Sequence, residues 1–168
     1  MSAGTTVTSI DPARPALSPA ALRRTARGFA ADRGLISRCP VSDGERTWVR
    51  LPTGPDIAAW LIRWPAGTST GWHDHVGPSG LGVGGVFTVV EGRLSEAWWS
   101  GRSVVRHTLG RGAIRSFGPD HVHDVASVGG PPAWSVHVYS PTLESMRSYR
   151  IDAGRDLVLT GIGPLDEW

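Results

Sequence analysis

Five of the six histidines occur in two short clusters or beside one, and their spacing is that of metal ligands. His73 and His75 are separated by one residue, His121 and His123 likewise, and His137 follows further along the chain. Residues two apart in a β-strand project from one face, whereas in a helix they diverge by about 200°. A His-x-His pair therefore chelates a metal ion only from a strand. A third histidine, from another strand, would complete one triangular face of the ion.

Three imidazoles define a particular kind of metal site. Imidazole suits Zn, Cu, Fe and Ni, and three protein ligands leave coordination positions open, which is the catalytic arrangement. Asp74 alternates to the face opposite its two neighbours, and no carboxylate follows His75 at the usual ligand distance. We therefore expect an all-histidine ligand set. The competing interpretation is that these histidines are independent core or surface residues, as His107 is expected to be.

The elements that must position these residues are strands. The chain has 168 residues, of which 22 are glycine and 13 are proline, and from residue 46 onward its hydrophobic period is two. We predict strands at 46–51, 57–64, 68–76, 84–91, 93–99, 102–109, 112–117, 121–127, 133–139 and 146–151. Several short strands at this spacing indicate a closed all-β sandwich or barrel.

The N-terminal region has a different pattern. Residues 1–17 are small, polar and proline-containing, which predicts a flexible arm. Ser18-Pro19 is typical of a helix start, and the apolar spacing that follows predicts one helix near 19–32. We expect one domain over 18–168, with the short helix preceding the strands.

Composition and charge exclude several classes of protein. The 17 basic residues are all arginine, they are scattered, and 15 acidic residues reduce the net charge to +2. A phosphate-binding stripe is absent from this pattern, so we expect no nucleic-acid partner. The single cysteine, Cys39, excludes an intramolecular disulfide framework. No targeting or membrane-spanning segment is visible, so we expect a cytoplasmic monomer without a membrane partner.

Four sequence blocks carry a family resemblance. The string GTSTGWHDH at 67–75 matches the first cupin motif, in which glycine precedes His-x-His by five residues. VEGRL at 90–94, HDVAS at 123–127 and above all SVHVYSP at 135–141 are similar to blocks of the cysteine dioxygenase family. The chain thus resembles this family of the cupin superfamily. No cysteine follows the His-x-His, so it resembles the bacterial type that lacks the Cys–Tyr crosslink.

The resemblance implies a cupin double-stranded β-helix with a metal-binding core at about 46–151. It also implies a mononuclear non-haem Fe(II) site that uses O₂ to oxidise a small thiol to its sulfinic acid. The implied ligands are His73, His75 and His123. His121 stays a rival for the third position, because it shares the alternation of His123.

The resemblance further implies roles around the metal. Ser135, His137 and Tyr139 share one strand face and would form a hydrogen-bonded chain that aims the Tyr139 hydroxyl at the metal or the substrate. Arg50 resembles the family arginine that pairs with the substrate carboxylate. We expect L-cysteine as the substrate and cysteine sulfinate as the product. The alternatives are a dioxygenase for 3-mercaptopropionate or another small thiol, and a non-catalytic cupin that binds a metal or ligand.

One segment departs from the family pattern. Residues 76–86 are longer than in the family and rich in glycine. This composition predicts a flexible loop beside the metal site.

Overall fold

The computed structural model describes residues 15–165. Residues 1–14, with most of the arm predicted over 1–17, lie outside the described part, as do residues 166–168. One α-helix, α1 (Pro19–Ala30), is followed by a 3₁₀ turn at Ile36–Arg38. The strands are β1 (Thr47–Arg50), β2 (Ala58–Trp64), β3 (Trp72–Val76), β4 (Gly85–Glu91), β5 (Arg93–Trp99), β6 (Val104–Gly110), β7 (Ile114–Phe117), β8 (His123–Ser127), β9 (Ala133–Tyr139), β10 (Ser145–Ile151) and β11 (Leu157–Pro164).

The strands form two antiparallel sheets that pack face to face. Their orders are β1-β2-β9-β4-β7 and β11-β10-β3-β8-β5-β6. Trp64 and Phe87 of the first sheet join Leu94 and Val125 of the second in one buried cluster between the sheets. Burial of this shared apolar surface holds the two sheets together. The predicted all-β fold with one short N-terminal helix is confirmed.

The helix covers the outer face of the five-stranded sheet. The Ser18 hydroxyl accepts a hydrogen bond from the Ala21 N–H, and Pro19 occupies the first helical turn. Leu22 and Ala26 are buried in a second cluster that includes Val86 and other outward-facing residues of the sheet. No helix within residues 15–165 is long and apolar enough to span a membrane.

Some boundaries differ from the sequence-based expectation. The strand predicted over 68–76 begins only at Trp72, because Gly71 adopts a φ of 69° and interrupts the extended chain. The helix predicted over 19–32 ends at Ala30. Strand β11 was not predicted, since it is an exposed edge strand with two glycines and little alternation.

Candidate metal centre

Three histidines converge between the two sheets. His73 and His75 lie on β3, and His123 begins β8, where it is the direct partner of His73 across the antiparallel pair. One ring nitrogen from each of the three lies within 4.8 Å of the others, and all three side chains are buried. The structure thus brings together the three residues expected as ligands at a spacing suited to one ion.

The hydrogen bonds of His73 and His123 involve Nδ1 and leave Nε2 of both rings available to a metal ion. The His73 Nδ1–H donates to the Gly71 carbonyl at 3.0 Å, and the His123 Nδ1–H donates to Glu96 Oε1 at 3.0 Å. Each bond leaves Nε2 of the same ring unprotonated. Nε2 of His123 is buried and has no hydrogen-bond partner in the structure. A buried orphan nitrogen beside two further imidazoles fits a bound metal ion.

Burial also sets the protonation state of the cluster. It lowers the pKa of His73 and His75 well below the ordinary value, and the neighbouring histidines lower it further. Burial lowers the pKa of His123 as well, against an opposing contribution from the Glu96 hydrogen bond. The three rings are therefore neutral at physiological pH, which is the form that binds metals.

Asp74 lies on the other face of β3, as the alternation predicts. Its carboxylate accepts hydrogen bonds from Arg147 Nε at 2.8 Å and from the Tyr149 hydroxyl at 3.0 Å, both on β10. These bonds link β3 to its neighbour on the side away from the histidine cluster. Asp74 is therefore outside the ligand cluster.

His121 does not join His73 and His75. Its Nε2–H donates to Glu96 Oε1 at 3.1 Å, and Arg115 Nε donates to Glu96 Oε2 at 2.8 Å. Burial alone would raise the pKa of Glu96, but hydrogen bonds from His121, His123 and Arg115 outweigh it and lower the pKa. Glu96 was not singled out in the sequence analysis. Glu96 lies two residues after the apolar Leu94, so on a strand it points to the same buried face, and a charge at such a position indicates a functional role.

Ser135, His137 and Tyr139 form a hydrogen-bonded row on β9. Ser135 Oγ lies 2.9 Å from His137 Nε2, and His137 Nδ1 lies 3.2 Å from the Tyr139 hydroxyl. That hydroxyl is 3.2 Å from His75 Nε2, so the row reaches the ligand cluster. Burial raises the pKa of Tyr139, which is therefore protonated, and lowers the pKa of His137 to about 3.

A fourth residue, Trp64, fixes the direction of this row. Its buried indole N–H donates to Ser135 Oγ at 2.8 Å. Ser135 then donates its own proton to His137 Nε2, its other partner in the described structure. His137 carries its single proton on Nδ1 and donates it to the Tyr139 oxygen. The Tyr139 O–H consequently donates to His75 Nε2, at the edge of the histidine cluster.

Arg50 lies at the end of β1 nearest to Tyr139. It is exposed and stands opposite Trp60 in the pairing of β1 with β2, so the two side chains share a face. The guanidinium carbon is 5.8 Å from the Trp60 ring centroid, and that ring meets the Tyr139 ring edge-on at 5.8 Å. Arg50 thus stands one aromatic ring away from the hydrogen-bonded row.

Cys39 and His107 lie outside the site. Cys39 belongs to the cluster between the helix and the sheet, whereas Tyr139 belongs to the cluster between the sheets. Because Cys39 is the only cysteine in the sequence, Tyr139 has no thiol partner for a crosslink. His107 is exposed on β6 and stacks on Trp98 at 4.7 Å.

The fold and the histidine cluster define a cupin, and solved structures share this fold. The protein TT1209 from Thermus thermophilus is 16% identical, with a TM-score of 0.53 over 63% of this chain and 93% of that one. A double-stranded β-helix protein from Klebsiella pneumoniae is 18% identical, with a TM-score of 0.53 over 75% and 93%. A cupin superfamily protein from Desulfitobacterium hafniense is 11% identical, with a TM-score of 0.53 over 64% and 88%.

The family follows from the sequence comparison. The family model described as cysteine dioxygenase type I matches residues 39–151, which include every residue of the candidate site. The chain belongs to the cysteine dioxygenase type I family. No curated protein matches it.

Proposed function

We propose that the protein is a mononuclear non-haem Fe(II) thiol dioxygenase that converts L-cysteine to cysteine sulfinate. Family membership supports the reaction class. The observation that carries the proposal is the buried cluster of three neutral imidazoles, in which one ring nitrogen of each lies within 4.8 Å of the others. In the reaction both atoms of O₂ are added to sulfur, which loses four electrons to oxygen, and the thiol proton is released.

His73, His75 and His123 would hold the ferrous ion. When bound, the ion supplies a Lewis acid that favours the thiolate and a template that brings sulfur and O₂ together. The protein contributes no negative charge through these three ligands, and this favours an anionic substrate. Burial of the same residues limits access of water to the reacting atoms.

The remaining candidate residues would orient the substrate. Arg50 would pair with the carboxylate, a task suited to the planar guanidinium fork. The Tyr139 hydroxyl would donate its hydrogen bond into the site, held in position by His137. Phe117, stacked on the His75 ring at 5.5 Å, would form an apolar wall.

The deciding experiment measures O₂ consumption by the Fe(II)-reconstituted protein. We expect cysteine to be turned over faster than 3-mercaptopropionate or cysteamine, with cysteine sulfinate as the product identified by mass spectrometry. His73→Ala and His123→Ala each remove a ligand and are expected to abolish the activity. The exposed His107→Ala is the matched control and is expected to retain it.

The outcomes separate this proposal from the alternatives. Faster turnover of 3-mercaptopropionate would support thiol dioxygenation but would show that L-cysteine is not the preferred substrate. Stoichiometric zinc in the native protein, together with no O₂ uptake for any thiol, would identify a non-catalytic metal-binding cupin and refute the proposal.

A further inference from the structure

Glu96 accepts hydrogen bonds from three side chains beside the histidine cluster, but it does not contact Nε2 of His123. It lies on β5 and its side chain is fully buried. Its two carboxylate oxygens accept hydrogen bonds from His121, His123 and Arg115 at 2.8–3.1 Å. A buried carboxylate with three donors is a fixed acceptor, because both its charge and its oxygens are satisfied.

A fixed acceptor determines the tautomer of His123. A carboxylate only accepts hydrogen bonds, so the proton of the neutral His123 ring must sit on Nδ1. Nε2 then carries a lone pair and faces His73 and His75. In the other tautomer, an N–H at Nε2 would point into the cluster and exclude a metal ion.

Arg115 keeps the carboxylate in this orientation. Its Nε binds Oε2, while its guanidinium carbon lies 5.0 Å from the Trp98 ring centroid. The arginine thus occupies one oxygen and leaves Oε1 to the two histidines. His121 approaches Oε1 from a partly exposed position and stacks on Phe117 at 5.3 Å, so its ring is held away from His73 and His75.

We propose that Glu96 is the positioning residue that makes His123, and not His121, the third metal ligand. It does so by holding the proton of His123 on Nδ1 and by accepting a second hydrogen bond on the same oxygen from the partly exposed His121. This inference rests on the metal site of the proposed function but not on the thiol chemistry. No other group within reach of His123 Nδ1 is recorded in the described structure, so the role falls to Glu96 alone.

The first test uses the metal-free protein and needs no activity. Long-range ¹H–¹⁵N correlation spectra of the histidine rings distinguish the two tautomers. We expect the Nδ1–H form for His123 in the wild type and a mixed or Nε2–H form in Glu96→Gln, whose amide can present N–H to the ring. An Nε2–H form in the wild type would overturn the inference without any variant.

The second test measures Co(II) affinity by competition with a chelator. Loss of a residue that orients a metal ligand typically weakens affinity about 10–100-fold, and we expect this for Glu96→Gln. Glu91→Gln, an exposed carboxylate at the end of β4 in the other sheet, is the matched control and is expected to bind Co(II) like the wild type. Wild-type affinity in a folded Glu96→Gln variant would contradict the inference.

The third variant keeps the inference testable if Glu96→Gln does not fold. His121→Phe preserves a ring beside Phe117 and removes one donor to Glu96. We expect it to retain Co(II) binding, whereas a loss as large as that of His123→Ala would show that His121 is the ligand. Since no thiol or O₂ is present, failure of the thiol dioxygenase proposal would leave these results unaffected.

Discussion

An indole N–H donates a hydrogen bond but cannot accept one, and this asymmetry gives Trp64 a defined place in the site. Every other member of the row, namely Ser135, His137 and Tyr139, can reverse its donor and acceptor roles. With Trp64 at its start, the row has one orientation that satisfies all its hydrogen bonds. The Tyr139 proton then faces the histidine cluster, where it is donated to His75 Nε2.

Trp64→Phe tests this orientation, because it keeps an aromatic ring and removes only the donor. We expect turnover to fall about tenfold or more, the usual cost of losing a residue that orients a site. Co(II) affinity should stay at the wild-type value, since the three ligands keep their own partners. Trp48→Phe, at a partly buried position that packs against the same interior cluster, is the control for ring size. Equal activities of the two variants would show that the indole donor has no role.

Arg50→Ala tests the proposed carboxylate contact. Hydrogen bonds to a charged group contribute about 1.5–3 kcal/mol, so the apparent KM for cysteine should rise about tenfold or more. The KM for cysteamine, which lacks a carboxylate, should not change. Arg106→Ala, an exposed arginine on β6, serves as the control. Wild-type kinetics in Arg50→Ala would show that another group binds the carboxylate.

The two faces of strand β3 make different contacts. His73 and His75 face the interior, while Asp74 between them binds Arg147 and Tyr149 of β10. The ion pair and hydrogen bond of Asp74 hold β3 against β10. This fixes the strand at the position from which His73 and His75 project into the interior. Strand alternation makes both possible within three residues.

The glycines near the site are required by close packing and not, as the sequence suggests, by loop flexibility. The sequence predicts a flexible loop over 76–86, but Gly82, Gly84 and Gly85 have no space for a side chain. A Cβ at Gly85 would lie 2.6 Å from Cδ1 of Tyr139 and 2.8 Å from Cζ of Phe117. The absence of a side chain at Gly85 therefore allows both aromatic rings to lie against β4.

Gly85→Ala is expected to displace the Tyr139 ring. Overpacking of this kind costs about 1–3 kcal/mol of unfolding free energy, and turnover should fall with the movement of the hydroxyl. Urea denaturation and steady-state kinetics measure the two effects. Gly118→Ala is the matched control, because a Cβ there meets no atom within 4 Å. If both variants are as stable and active as the wild type, the packing argument is wrong.

At the scale of the whole molecule, the buried histidines make stability depend on pH. Their pKa values in the folded protein lie below the ordinary value of 6.5, and that of His137 is about 3. The unfolded chain therefore binds more protons than the folded chain below pH 6.5. Stability is fully present above this pH and is lost as the pH falls toward the folded pKa values.

Urea unfolding of the metal-free protein at several pH values between 7.5 and 5 checks this dependence. Each such histidine reduces the unfolding free energy by about 1.4 kcal/mol per pH unit once the pH is well below 6.5. His137→Gln should make the dependence shallower, with His107→Gln as the comparison. A free energy of unfolding that stays constant from pH 7.5 to 5 would contradict this account.

Short stretches of residues were enough to predict most strands and the family. Period-two alternation located the strands that carry the site, and the separation of His73 from His75 required that both lie on one strand face. The blocks around His123 and Tyr139 indicated the family. These features are local, so a few neighbouring residues suffice to reveal them. Strand β11 was not predicted, because neither face of this largely exposed strand packs into a core and its apolar alternation is therefore weak.

Which side chains contact one another depends on long-range packing, which short sequence patterns do not predict. The sequence predicts one alternation for His121 and His123, but His121 precedes β8 and donates to Glu96, while His123 on β8 joins His73 and His75. Glu96 and His123 are 27 residues apart, and Trp64 and Ser135 are 71 apart. Hydrogen bonds across such separations depend on how the sheets register and pack. Local periodicity fixes the face from which a side chain projects, but not the partner that it finds there.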